Sequence, residues 1–233
     1  MNILAVDTAT EICSVAVASG DTVVARSQET ARDHSRLILP MLEKLLAEAG
    51  ISKSEIDGIA FGHGPGSFTG VRIGVGVAHG LALALDCPVV GVSNLAAIAQ
   101  RCLRENTEPN VLVAIDARMN EVYWGAFCSD ENGLMRAGLV EQVTAPEAVK
   151  CPKSDNTEWI GAGTGWVTYK DALSLATANL NVRGSMHQLP LAQDILTLAK
   201  DDFESGRAMA PELAQPVYLR NKVAQTVSER QNT

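Results

Sequence analysis

Two carboxylates at corresponding places in the chain, Asp7 and Asp116, are the first candidates for chemistry. Each ends an apolar run, Asn2-Ile3-Leu4-Ala5-Val6-Asp7 and Asn110-Val111-Leu112-Val113-Ala114-Ile115-Asp116. If the two strand ends face each other across a cleft, their carboxylates can hold a magnesium ion through water. An Asp at a strand end also starts hairpin turns by accepting from nearby backbone amides, and for either residue alone that reading is favoured. A third candidate is the run Gly62-His63-Gly64-Pro65-Gly66-Ser67-Phe68-Thr69-Gly70-Val71-Arg72-Ile73-Gly74. It follows a strand and opens a helix, a context in which backbone N–H groups can face a phosphate. No Gly-Lys-Ser/Thr follows at P-loop spacing, so a tight loop that lets chain segments approach closely is favoured.

The other reactive residue types do not assemble. His34 opens a predicted helix, but a helical metal site needs a second ligand one turn later, where Ile38 stands. His34, His63, His79 and His187 share no spacing with a nucleophile that would suggest a triad. The five cysteines (Cys13, Cys87, Cys102, Cys128, Cys151) are scattered and form no Cys-x-x-Cys pair. That usage fits reduced thiols in a cytosolic protein and argues against a disulfide framework or a zinc site. A net charge of −8 argues against a chain that grips nucleic acid unaided, because neutralising phosphate supplies most of such affinity.

The elements that must position these residues follow from pattern. Strands are predicted over 2–7, 12–18, 22–25, 56–61 and 88–92, with helices over 34–49, 69–85 and 94–104. Asp33 and Ser93 are the expected caps of the first and third helices, and Gly50 closes the first. The polar stretch 105–110 marks a boundary between a first lobe, 1–105, and a second, 106–211. A tail, about 212–233, is expected to pack back on the first lobe. The second lobe restarts the pattern of the first, with strands at 110–116 and 121–127, an extended segment at 134–143 and a short strand at 159–160. Helices near 166–178 and 192–204 follow. The repeated strand-to-Asp unit suggests a duplicated lobe. No uncharged apolar stretch reaches the ~18 residues of a membrane span, so neither a secreted nor an embedded protein is expected.

Two helices carry more apolar or small surface than one lobe needs. In the helix after the glycine loop, Gly70, Gly74, Ala78 and Ala82 fall four apart, and so do Gly76, Gly80 and Ala84. Glycine in a helix interior costs up to ~1 kcal/mol relative to alanine, so several together need a compensating close contact. One stripe is accounted for by packing within the lobe; the other leaves a face for a partner helix. In the preceding helix the apolar residues spread over roughly 200°, where a surface helix needs little more than ~100°. The excess lies around Leu37, Met41 and Leu45, or around Leu39 and Leu46. The expected partner interface comprises Leu37, Ile38, Met41, Leu45, Val71, Gly74, Val75, Ala78 and Ala82.

Taken together, Leu4-Ala5-Val6-Asp7-Thr8-Ala9-Thr10, the block from Gly64 to Gly74 and Ile115-Asp116-Ala117-Arg118-Met119-Asn120-Glu121-Val122-Tyr123 resemble the TsaB (YeaZ) family. Pro216-Val217-Tyr218-Leu219-Arg220 fits it too. The match runs through most of the chain. The resemblance implies an α/β actin-like ATPase (ribonuclease H-like) fold of two related lobes. It also implies a non-catalytic part in making threonylcarbamoyladenosine beside the anticodon of tRNA. Partners implied are the catalytic paralogue TsaD and the ATPase TsaE, with a homodimer when alone, contacts through the first-lobe helices, and tRNA met only through the complex. No cofactor is expected on this chain alone; ATP or ADP would sit at the shared interface. Gly161 and Gly163 then resemble the glycine turn near adenosine in this fold, and with Asp7 and Asp116 they outline a vestigial nucleotide or metal cleft. The competing expectation is an autonomous ATPase or metallopeptidase-like hydrolase using Asp7 and Asp116.

Overall fold

The computed structural model describes residues 1–20, 22–30, 32–153 and 157–220. Its first sheet grows from Asn2–Asp7 (β1) and Ile12–Ser19 (β2), paired antiparallel with Asp7 opposite Ser14. Thr22–Glu29 (β3) continues the meander. His34–Ala49 (α1) crosses over to Gly58–Gly64 (β4), which runs parallel to β1. Phe68–Leu85 (α2) then leads to Val89–Ser93 (β5), parallel to β4. Asn94–Asn106 (α3) carries the chain to the second sheet.

That sheet repeats the plan. Asn110–Arg118 (β6) and Glu121–Ser129 (β7) form the hairpin, and the short Met135–Ala137 (β8) and Gln142–Thr144 (β9) both pair with β7. Glu158–Ala162 (β10) joins β6 in parallel. After Gly165–Thr168 (α4) and Lys170–Ala176 (α5), Asn181–Met186 (β11) pairs parallel with β10. Ala192–Glu204 (α6) is the last helix among the described residues. The sheet orders β3-β2-β1-β4-β5 and β8-β7-β6-β10-β11 are the same order used twice.

Strand alternation explains how the first sheet is covered. Leu4, Val6, Val15 and Val17 face α1 and α2, while Ile3, Ala5, Ala16 and Ala18 face α6. With both faces buried, β1 and β2 read as continuous apolar runs. Ser93 caps α3 by accepting from Leu95 N and Ala96 N. Asp33 makes no side-chain cap on α1, which ends on Gly50 in the left-handed conformation.

The division at residue 105 does not describe how the helices pack. α6, placed by sequence in the second lobe, lies on the first sheet, where Ile195, Leu196, Leu198 and Ala199 are buried with Ile3 and Val90. α3 sends Leu95, Ile98, Ala99 and Cys102 into the core of the second sheet, against Val111, Val113 and Phe127. The halves therefore exchange their last helices. The crossing is tied by a two-pronged ion pair, Arg104 Nε to Asp194 Oδ1 at 2.8 Å and Nη2 to Oδ2 at 3.0 Å. Ala192 N donates to Ser14 Oγ at 2.9 Å and seats α6 on β2. Residues 212–220 of the expected tail do return to the first half: Ala214 enters its core and Val217 N donates to His63 O at 2.8 Å. Residues 221–233 lie outside the described residues.

Candidate functional site

Two surfaces merit attention: the cleft between the halves and the outward face of α2. The cleft, about 970 Å³, is walled by Thr10 and Glu11, the loop from Pro65 to Gly70, Asp116 to Arg118, Thr164 and the strap Val217 to Arg220. The N-terminus of α2 reaches it because the loop lies directly on β1's end. Ser67 N donates to Ala9 O at 2.7 Å, and Thr8 Oγ1 donates to Gly70 O at 2.7 Å. A Cβ at Gly70 would collide with the Thr8 carbonyl oxygen. Gly70→Ala is therefore expected to cost about 1–3 kcal/mol as an overpacked site, read as a lower urea midpoint with an unchanged slope.

The two aspartates do not meet across this cleft. Asp7 is fully buried behind it, its Oδ1 accepting from Asn94 Nδ2 at 2.7 Å and its Oδ2 left without a partner. Asn94 in turn accepts from Gly64 N at 2.8 Å, so it braces the glycine loop against β1. Burial raises the Asp7 carboxyl to about 7, opposed by the Asn94 hydrogen bond and the Ala9 and Thr8 amides. Asp116 does line the cleft, but as a turn residue: its carboxylate accepts from Arg118 N at 2.8 Å, Arg118 Nη1 at 3.1 Å and Tyr169 Oη at 3.3 Å. Arg118, Met119 and Asn120 all adopt positive φ to close that hairpin. The turn reading favoured for either residue alone therefore holds for Asp116, Asp7 is a sealed group, and the alternative of two carboxylates facing each other across the cleft is not formed.

Gly161 and Gly163 are also structural. A Cβ at Gly161 would enter the Trp166 ring, and Gly163, at φ 102°, lies on the Ala114 carbonyl. His34 is buried; it lines the cleft with Nδ1 unpartnered. Burial lowers its pKa. No group of three His, Cys, Asp or Glu side chains suited to a metal occurs among the described residues. Burial pushes the Cys13 thiol up to about 11 and Cys102 up to about 12, which leaves both unreactive.

The interface residues are corrected too. Ile38, Met41, Leu45, Val71, Gly74, Val75, Ala78 and Ala82 are buried within the first half, and Leu37 is half-buried against the same core. The stripe Gly70, Gly74, Ala78, Ala82 is the one that packs on β1 and β4, where Gly74 touches Thr8. The other stripe faces out. Gly76, Gly80 and Ala84 are exposed beside Arg72 and Leu83. A side chain at Gly76 or Gly80 would meet nothing within 4 Å. Spacing showed both stripes, but only the loop's contact with Thr8 decides which one turns inward. The outward face of α1 adds Leu39 among charged neighbours.

The rim of this face holds a stack that sequence pattern did not reveal. The Arg72 guanidinium lies 3.2 Å from the Phe68 ring centroid and 5.1 Å from that of Tyr218. The strap brings Tyr218 there, and its next anchor is Arg220, bonded to Glu121 on the β6–β7 hairpin. Only Tyr218's place in the motif with Arg220 hinted at a role.

Two sheets of identical order on either side of a cleft, with exchanged helices, define a protein of the actin-like ATPase class. The family model described as TsaD, tRNA N6-adenosine threonylcarbamoyltransferase, matches residues 22–226. The Escherichia coli K12 protein named tRNA threonylcarbamoyladenosine biosynthesis protein TsaB is 46% identical over 225 residues, 96% of each chain. Its namesake in Haemophilus influenzae is 38% identical, over 96% of this chain and 95% of that one. A solved structure titled YeaZ from Pseudomonas aeruginosa superposes with a TM-score of 0.86 at 44% identity, over 94% of this chain and 99% of that one. The chain belongs to the TsaB (YeaZ) family.

Proposed function

We propose that this protein is a cytoplasmic, non-catalytic component of the machinery that makes threonylcarbamoyladenosine in tRNA. It serves as the docking and activating subunit for a TsaD-type catalytic partner, with a TsaE-type ATPase joining the complex. The tRNA step is suggested by the relatives' names. The docking role rests on one observation: Gly76 and Gly80 sit mid-helix on an exposed face with no neighbour inside the chain. Each costs the free helix about 1 kcal/mol against alanine, and a partner helix approaching closely is what offsets it. When the partner is absent, the same face pairs two copies of this chain.

α2 is also long and apolar enough to cross a membrane by length and composition. Its inward face is committed to the first-sheet core, so a protein partner suits its outward face better. Asp7 is sealed and Asp116 is engaged, which favours the docking reading over an autonomous ATPase or hydrolase. Any ATP or ADP is assigned to the interface shared with the catalytic partner. The tRNA is reached through the complex, because most of the described arginines already have carboxylate partners in a chain of net charge −8.

Leu83→Asp tests this reading. Leu83 is 51% exposed, so the variant is expected to melt within about 2 °C of the parent. It should fail to co-purify with the catalytic partner and fail to restore threonylcarbamoyladenosine, measured by mass spectrometry of tRNA digests. Full co-purification and modification by a folded Leu83→Asp chain would show that the face is not the docking surface.

A further inference from the structure

The aromatic stack at the rim of the cleft has an open side. Arg72 covers Phe68 at 3.2 Å and stands 5.1 Å from Tyr218, yet Phe68 remains 54% exposed and Tyr218 45%. Both rings line the cleft between the halves. They sit at the first turn of α2, about two turns before Gly76, and so apart from the small-residue stripe. Exposed aromatic rings backed by a guanidinium form a flat surface on which a planar heterocycle stacks, the device that single-strand binders use.

Beside this platform the cleft offers groups for an anion. α2 begins there, and the first N–H groups of a helix have no partner within it. Ser67 N donates to Ala9 O and Gly70 N to Ser67 Oγ, whereas Phe68 N and Thr69 N have no partner among the described residues. Two side chains of the cleft wall are more than nine-tenths buried and also unpartnered, Thr10 at Oγ1 and His34 at Nδ1. Buried polar atoms without partners are costly, so two of them in one wall point to a ligand that supplies the missing bonds. The charge at this mouth also departs from that of the whole chain. Arg32, Arg72, Arg118 and Arg220 stand against Glu11, Asp116 and Glu121, in a protein of net charge −8. Arg118 and Arg220 are engaged by Asp116 and Glu121, while the exposed Arg32 makes no ion pair among the described residues.

We propose that this mouth holds one unstacked nucleotide of a single-stranded RNA segment, its base on Phe68 and Tyr218 and its phosphate at the first turn of α2 beside Arg32. The inference rests on the tRNA reading above and deepens it: within the complex, this chain makes one direct RNA contact. A single base and one or two phosphates are too few to hold RNA alone at physiological salt, in keeping with the acidic balance. A strand and a free nucleotide share this chemistry. The strand is favoured because the platform lies at the rim, where its neighbouring nucleotides stay in solvent.

The test uses the full chain and a fluorescent single-stranded RNA of about eight nucleotides containing 4-thiouridine, at about 50 mM salt. Ultraviolet crosslinks, mapped by mass spectrometry, should fall on peptides containing Phe68 or Tyr218. By fluorescence anisotropy, Phe68→Ala and Tyr218→Ala should each weaken binding at least about fivefold. Phe68→Tyr and Tyr218→Phe, which keep the rings, should stay within about twofold of the parent. Arg32→Gln should reduce the slope of log affinity against log salt by about 0.7. Absence of saturable binding, crosslinks elsewhere, or ring-less variants that bind like the parent would overturn the proposal. Displacement of the RNA by ADP would overturn it in favour of a free-nucleotide site. Leu83→Asp separates this inference from the docking reading, since it should bind RNA like the parent while failing to co-purify with the catalytic partner. RNA binding lost from a parent chain that still co-purifies with that partner would defeat the RNA contact alone.

Discussion

A carboxylate introduced at Ala78 is expected to unfold the protein, whereas one introduced at Leu83 leaves it folded. Ala78 is fully buried between α2 and the first sheet, in the cluster that holds Val6, Ile38, Val71 and Phe61. The side chains packed around it in that cluster are apolar. Burying an unpaired carboxylate costs several kcal/mol even after its pKa has risen to neutralise it, and the added volume strains a packed helix–sheet contact. Against a total stability of about 5–15 kcal/mol, that loss removes most of the folded population of an ordinary domain. Far-ultraviolet circular dichroism and urea titration of Ala78→Asp should show an unfolded or strongly destabilised chain. A native-like melting curve would mean that α2 does not sit on the sheet as described.

The second large effect is a dependence of stability on pH that a single substitution removes. Asp7 is held with its pKa near 7 in the folded chain, chiefly by burial, against an ordinary value of 3.8. Between those two values the folded state binds more protons than the unfolded state, so stability falls as pH rises. Below pH 4 both states are protonated and above pH 7 both are ionised, and outside that window Asp7 contributes no slope. The loss across the window is on the order of 4 kcal/mol. Asp7→Asn keeps an oxygen to accept from Asn94 and removes the charge. It should be more stable than the parent at pH 8, with the difference vanishing near pH 4, as read from urea midpoints at each pH. A parent and variant whose midpoints differ equally at all pH values would contradict the sealed, proton-holding carboxyl.

How much of this was legible in the sequence depended on whether an element speaks through local pattern or through contact. β1, β2, β4 and β5 and α1, α2 and α3 were readable because continuous apolar runs, Ser93 and Gly50 are local signals, whereas only the first half of the exposed β3 was read. β11 was not read: Asn181–Met186 is largely exposed and lacks an apolar run, and it exists because β10 offers it an edge. The partner of Asp7 was also hidden, since Asn94 lies 87 residues away and is brought near by α3's starting point. The stripes on α2 were visible as spacing. Which stripe faces inward depends on Thr8 and Ala9, so the sequence reading chose the buried one.

The exchange of α3 and α6 has a consequence for how the chain is made. When β5 leaves the ribosome, the Ile3 face of the first sheet still lacks its cover, because α6 is encoded some hundred residues later. At translation rates of about 5–20 residues per second, that apolar face waits roughly 5–20 seconds for Ile195 and Leu196 to arrive. The first half cannot complete its core during synthesis, and its nascent form presents Ala5, Ala16 and Val90 to the cell's chaperones in the meantime. The core on this face of the first sheet is therefore complete only after residue 204 has been made, although the two sheets read as separate, repeated units.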